Sequence, residues 1–229
     1  MPEPVDHAAV RSAYDTVAET YARVLPDLSF ESAEDRAMIQ RFATHVGTSP
    51  DGKVIDAGCG TGRLAAHLRT AGLNVNGVDL SPTMVRVAGR LHPEIEFTAG
   101  ELTALPADDG SADGVVAWYS IIHLDPEAID AVAREFARVL RPAGAALVAF
   151  QAGSGSRTLT RAYGHDVVLR AELHIPGDVA RSFAAHGFEQ VEQMVRPPRE
   201  TEKQPQAVLL FRRGAGAAPA GRRPLTPSR

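Results

Sequence analysis

Lys53-Val54-Ile55-Asp56-Ala57-Gly58-Cys59-Gly60-Thr61-Gly62 is a short apolar strand that runs straight into three glycines at alternate positions. Glycine has no Cβ, so the backbone turns sharply there and can approach a ligand closely. A helix is predicted over 63–71, closed by Gly72. The backbone N–H groups that open it have no partner within the helix and face whatever the loop holds. Three nucleotide-binding readings compete. A P-loop needs Lys followed by Ser or Thr after its last glycine, but Gly62 is followed by Arg63-Leu64. A dinucleotide fingerprint, G-x-G-x-x-G, would need its third glycine at Arg63, whose bulk obstructs close helix–sheet contact. The pattern that remains is an acidic residue, Asp56, two positions before G-x-G-x-G.

On either side of the loop, strands alternate with helices. Strands are predicted at 75–79, 95–98, 114–118 and 145–150. Ser81-Pro82 starts the helix after the second strand, with serine as cap and proline at the first helical position. A further helix is expected over 126–140, stopping before Pro142. The unbroken apolar run Ala145-Ala146-Leu147-Val148-Ala149-Phe150 suits a parallel sheet buried on both faces. The alternation predicts an α/β, Rossmann-like, doubly wound sheet. Upstream, 7–23 and 32–46 read as helices, the first with Val10, Tyr14, Val17 and Tyr21 at helical spacing. Downstream, 151–166 is rich in Gly and Ser and reads as a loop. Then come a strand at 167–174, a helix over 177–186 ending at Gly187, and two strands at 191–195 and 207–211 in a hairpin. The stretch 214–229 lacks apolar surface and is expected to be disordered.

Val54 to Gly62 resembles motif I of the class I S-adenosylmethionine-dependent methyltransferases, in particular the small-molecule branch of types 11 and 25. The resemblance covers 50–150 well, is weaker over 7–50 and is only topological after 165. It implies a seven-stranded, mostly parallel sheet with an N-terminal helical lid. The expected layout is a single domain over 1–213, with a lid at 1–47, a cofactor core at 48–151 and a substrate side with a terminal hairpin at 152–213. By the same resemblance Asp56 orders the loop and the methionine end of S-adenosylmethionine, against which Gly58 and Gly60 lie. Asp79 ends the second strand about 20 residues past the glycines, where an acid accepts hydrogen bonds from ribose hydroxyls in doubly wound folds. Leu80 and Met84 would border the adenine. In Gly100-Glu101-Leu102, the Glu101 carboxylate or the Leu102 backbone would read its amino edge. Ala117 and Trp118 end the fourth strand where the family borders the cofactor. Tyr14 and Tyr21 match the lid helix, where such tyrosines close over cofactor or substrate.

In an open α/β sheet ligands bind beyond the carboxyl ends of the strands. That places Tyr119, Ser120 and His123 after the fourth strand, and Gln151, Arg157, Tyr163 and His165 after the fifth, as acceptor-side candidates. Methyl transfer displaces a neutral sulfur, so no acid is required. A base matters where the acceptor must lose a proton, and His123 is the candidate. The expected function is methyl transfer to a hydroxyl, thiol or amine of a small metabolite. Three alternatives stay open: a non-catalytic module that only binds the cofactor, an NAD-dependent oxidoreductase, and C-methylation of an electron-rich ring, which needs no strong base.

The 229 residues suffice for one core without disulfides or metals. A net charge of −4 argues against a nucleic-acid partner, whose phosphates favour a basic face. The single cysteine, Cys59, excludes a disulfide framework and points to a reducing compartment. The first residues show no basic stretch followed by an apolar run, and no segment approaches the ~20 apolar residues of a membrane span. The expectation is a cytoplasmic protein with no membrane partner, no metal site and a secondary-metabolite acceptor. Nothing in the sequence fixes an oligomeric state.

Overall fold

A computed structural model describes residues 6–47 and 52–215. The predicted tail at 214–229 and the reading of the first residues therefore fall largely outside the described residues.

The sheet has seven strands in the order β3-β2-β1-β4-β5-β9-β8. Strands β1 (Lys53–Ala57), β2 (Asn74–Asp79), β3 (Phe97–Ala99), β4 (Ala112–Trp118) and β5 (Leu140–Gln151) run parallel. Only β9 (Gln206–Arg213) is antiparallel to its neighbours, β5 and β8 (Phe188–Arg196). The chain moves outward from β1 to β3 and then returns to place β4 on the other side of β1. The carboxyl ends of β1 and β4 thus flank the point where strand order reverses, which is where open α/β sheets bind ligands.

Burial follows the two-residue period of a strand. Along β4, Val115 and Ala117 enter the core packed with α5 (Ala128–Val139) and α6 (Pro176–Ala185), through Phe136 and Phe183. Val116 and Trp118 enter the opposite core, with Phe42 of α2 (Ala33–Val46) and Leu64 and Leu68 of α3 (Arg63–Thr70). The caps follow the sequence. Ser81 accepts from the Met84 N–H at 3.0 Å ahead of α4 (Pro82–Leu91), and Ser32 with Asp35 forms a reciprocal capping box on α2.

The expected loop at 151–166 is corrected by the structure. Ser156–Ala162 is a strand, β6, paired antiparallel with β7 (His165–Glu172) in a separate two-stranded sheet. Tyr163 (φ 51) and Gly164 (φ 83) form the two-residue turn, both in the left-handed region that such hairpins require. The mostly polar sequence of β6 concealed it, because much of this strand faces solvent rather than a core. A second difference lies at β5, which begins at Leu140 directly after α5. A shift of register against β4, between Ala112 and Gly114, absorbs the bend at Pro142-Ala143-Gly144.

Helix α1 (His7–Val24) packs Val10, Ala13, Val17 and Ala18 against Met84 and Val87 of α4 and Val167 and Leu169 of β7. Asp15 fastens it, accepting from Ser81 Oγ at 2.6 Å and from the Thr83 N–H at 3.1 Å. Helix and hairpin together roof the carboxyl end of the sheet. Among the described residues no helix is long and apolar enough to cross a membrane.

Candidate active site

A cavity of about 520 Å³ opens beyond the carboxyl ends of β1, β2, β4 and β5. Its size is within the ~300–1,000 Å³ usual for small-molecule sites. On one side it meets the glycine loop. Gly58 and Cys59 donate their N–H groups to the Val78 carbonyl at 2.7 and 3.0 Å, which fastens the loop to β2. A Cβ on Gly60 would meet only the Tyr21 ring, at 3.8 Å, so this backbone is open to the cavity.

Two carboxylates stand at this loop. Asp79 accepts from the Gly60 N–H and the Ser81 N–H, one on each oxygen at 2.8 Å, and lines the cavity. Each oxygen keeps a lone pair for a hydroxyl donor. Burial raises its pKa. Asp56, at the end of β1, is buried, and neither of its oxygens has a hydrogen-bond partner among the described residues. The Ala65 N–H acts on the carboxyl without reaching hydrogen-bond geometry. Burial lifts the Asp56 pKa to about 7, against the pull of Arg63. A buried carboxyl without a donor is costly.

Arg63, read from sequence only as an obstacle, lines the cavity. Its guanidinium pairs with Glu31 at 2.5 Å and donates to the Asp27 carbonyl at 3.2 Å. Trp118 Nε1–H donates to the same Glu31 oxygen at 3.1 Å. Glu31 lies just before α2, and no local pattern in the sequence announces this role.

The opposite wall is polar and aromatic. Tyr14 Oη lies 2.7 Å from His123 Nε2, and His123 Nδ1 lies 2.8 Å from the Arg170 carbonyl oxygen. A carbonyl only accepts, so the proton of the neutral ring sits on Nδ1 and Nε2 accepts from the Tyr14 hydroxyl. Burial lowers the His123 pKa and raises that of Tyr14 well above the usual phenol range. The resting pair is therefore a neutral imidazole accepting from a neutral phenol. Tyr21 and Tyr163 meet edge to face above the glycine loop, ring centres 4.9 Å apart. Tyr119, just past β4, has φ 57, a strained value for a tyrosine at a strand end.

Of the candidates named from sequence, Tyr14, Tyr21, Gly58, Gly60, Asp79, Leu80, Met84, Glu101, Leu102, Trp118, Tyr119, Ser120, His123, Gln151, Arg157 and Tyr163 line this one cavity. Asp56, Gly100, Ala117 and His165 do not. Asp56 stands behind the loop. Gly100 serves close strand approach, since a Cβ there would meet Val78 at 2.8 Å. Ala117 packs into the core. The expectation for His165 is corrected: its Nε2 is 2.9 Å from Thr20 Oγ1, so it ties the hairpin to α1 rather than facing the acceptor space. Sequence reasoning also missed the turn between β8 and β9, which brings Thr201, Glu202 and Lys203 to the cavity. That turn is held by Arg196, which bridges buried Asp35 (2.8 Å) and Glu202 (2.6 Å). Hydrogen bonds from Arg196 and Arg199 hold the Glu202 pKa down to about 2.

Residues 54–144, from β1 to the start of β5, match the family model described as a methyltransferase domain. The match spans about two fifths of the chain, and over that stretch the chain is similar to this family. The demethylmenaquinone methyltransferase of Chlorobaculum tepidum is 31% identical over 144 residues, which cover 62% of this chain and 59% of that protein. This chain therefore spans about three fifths of that relative's length. The malonyl-[acyl-carrier protein] O-methyltransferase of Erwinia billingiae is 25% identical over 193 residues, 79% of this chain and 76% of the other. Among solved structures, magnesium protoporphyrin IX methyltransferase from Synechocystis PCC 6803 with bound S-adenosylmethionine superposes with a TM-score of 0.69. It shares 20% identity and covers 93% of this chain and 100% of its own. At that identity it supports the fold alone.

Proposed function

We propose that this chain transfers a methyl group from S-adenosylmethionine to an oxygen, sulfur or nitrogen of a small acceptor. One observation carries the reading: a single cavity joins the glycine loop and Asp79 to a wall holding the Tyr14–His123 pair. The residues present fit the cofactor. Gly60 leaves its backbone open to the cavity, and Asp79 lines the cavity and keeps acceptor capacity at the end of β2, with Asp56 behind the loop. Leu80, Met84 and Leu102 give an apolar slot for a purine, with Glu101 at its edge. When bound, the cofactor supplies an electrophilic methyl on a sulfonium. The chain's own part is to hold both partners in line, keep water out under α1 and the hairpin, and take the acceptor's proton.

The proton path follows from the hydrogen bonds. Tyr14 Oη accepts the proton from the acceptor while its own proton passes to His123 Nε2, and the Arg170 carbonyl stabilises the resulting imidazolium through Nδ1–H. His123→Gln is expected to lower kcat by about 10²-fold or more. Because burial depresses the His123 pKa, the base stays free at neutral pH. The acid limb of kcat/KM then falls below the ordinary histidine value of 6.5, and it disappears in His123→Gln. A variant that keeps its rate and its acid limb would point instead to C-methylation, which needs no strong base.

Calorimetric titration with S-adenosylmethionine, S-adenosylhomocysteine and NAD tests the cofactor reading. The wild type should bind the first two and not NAD. Asp79→Ala should weaken both by roughly 10-fold or more, the worth of hydrogen bonds to a charged group. Failure of both to bind the wild type removes the proposal. Binding without turnover on any hydroxyl, thiol or amine acceptor would leave a binding module.

A further inference from the structure

The hairpin β6–β7 turns one face toward the site. On that face Val167, Leu169 and Ala171 of β7 are buried, and Leu159 of β6 lines the cavity. Arg157 lies two residues before Leu159 and directly opposite Ala171 in the pairing, so it shares this face and also lines the cavity. It is the charged member of an otherwise apolar row. Its Nε–H is buried and has no hydrogen-bond partner, and no acidic side chain pairs with it among the described residues. Nearby arginines are engaged: Arg170 pairs with Glu172 and Arg63 with Glu31; Lys203 also lines the cavity, but as an exposed residue of the turn between β8 and β9. The carboxylate of Glu202 on the same cavity is taken by Arg196 and Arg199. Gln151, at the end of β5, lines the cavity with its side-chain oxygen buried and unpartnered.

An unpaired guanidinium turned into a half-closed, apolar cavity is unfavourable unless something else completes it. A planar fork of N–H donors matches the oxygens of a carboxylate or phosphate. We propose that Arg157 is the anion subsite of the acceptor pocket. The acceptor is then an acidic small molecule that places a carboxylate or phosphate on Arg157 and a donor N–H or O–H on Gln151. Its remaining body lies among Tyr119, Ile122 and Leu159. This inference rests on the methyltransferase reading for the word acceptor, but the anion subsite itself stands on the hairpin geometry. The arrangement also selects among acceptors. A neutral analogue of the same shape leaves Arg157 unpaired, and sites that lose a partner for a buried polar group reject strongly.

The test uses matched ligands with and without S-adenosylhomocysteine, read by calorimetry. The carboxylate arm compares 4-hydroxybenzoate with 4-hydroxybenzamide, and the phosphate arm uses phenyl phosphate against phenol. The wild type should bind the better anion at least about 10-fold more tightly than its neutral partner, and the arm with the larger preference identifies the group. Arg157→Met should abolish the preference, and Arg157→Lys should keep part of it. The His123 ring resonances should shift on anion binding in the wild type and not in Arg157→Met. Equal binding of charged and neutral partners, an unchanged preference in Arg157→Met, or no binding of either anion overturns the proposal. Loss of S-adenosylhomocysteine binding with the anion preference intact would instead overturn the cofactor reading and leave the subsite standing.

Discussion

Asp56→Asn raises the melting temperature of the ligand-free protein at pH 8 and, by roughly a third as much, at pH 5. Asp56 is buried, neither of its oxygens has a donor, and burial lifts its pKa from 3.8 to about 7. The folded chain thus keeps a proton that the unfolded chain has already released. Between pH 3.8 and 7 the folded state binds more protons, so stability falls as pH rises through this window, and the full penalty stands above it. A gap of about three pKa units corresponds to at most ~4 kcal/mol. Asparagine has nearly the same shape and no charge to bury, so it escapes the penalty at pH 8. At pH 5 the native carboxyl is protonated while the unfolded one has largely released its proton, so roughly a third of the gain remains. For a chain of this size the gain at pH 8 is roughly 5–10 °C. Asp56 stands behind the loop, so the same substitution reaches S-adenosylmethionine binding only through the loop backbone. Thermal melts of both proteins at the two pH values, with and without the cofactor, check this. A gain of equal size at both pH values would show that the Asp56 pKa is not raised in the folded protein, its oxygens finding donors in solution.

The second large effect is at the loop itself. Gly58→Ala is expected to lose ~3 kcal/mol, about 10 °C of melting temperature, and to bind no cofactor. Gly58 sits at φ +81, where any Cβ is strained, and a Cβ there would fall 2.2 Å from Ser120 Cβ and 2.9 Å from Ser120 Oγ. Ser120 is not free to give way. Its hydroxyl donates to the Ala57 carbonyl at 2.7 Å and fixes the turn after β4 against the end of β1. The double variant Gly58→Ala/Ser120→Gly separates the two causes. It removes the collision and keeps the backbone strain, so it should recover about half of the loss. A double variant no more stable than Gly58→Ala would mean that strain at φ +81 alone carries the effect.

The seven-stranded core was legible because its signals are local. The strand at Lys53–Ala57, the three glycines, Asp79 at the end of β2, and Ser81-Pro82 at the start of α4 each follow from a few neighbouring residues. The hairpin was not legible. β6 is a polar strand stabilised by pairing with β7, and its signal was the two-residue turn at Tyr163-Gly164, hidden beside a Gly- and Ser-rich loop. In the same way, His165 looked like an acceptor-side residue until the pairing turned it toward Thr20.

What the sequence determined by itself is the sheet, the loop that turns back at the end of β1, and the acidic residues beside that loop. Backbone propensity, capping and burial period act over a few residues and are written in order along the chain. The tertiary structure alone decided the chemical state of the site. Tyr14 reaches His123 across 109 positions and the Arg170 carbonyl reaches it across 47, and together they set the tautomer. Arg157 has a cavity before it only because the hairpin folds back over the sheet. Charge state and free hydrogen-bonding capacity depend on what surrounds a group in space, and that neighbourhood exists only once distant segments have packed together.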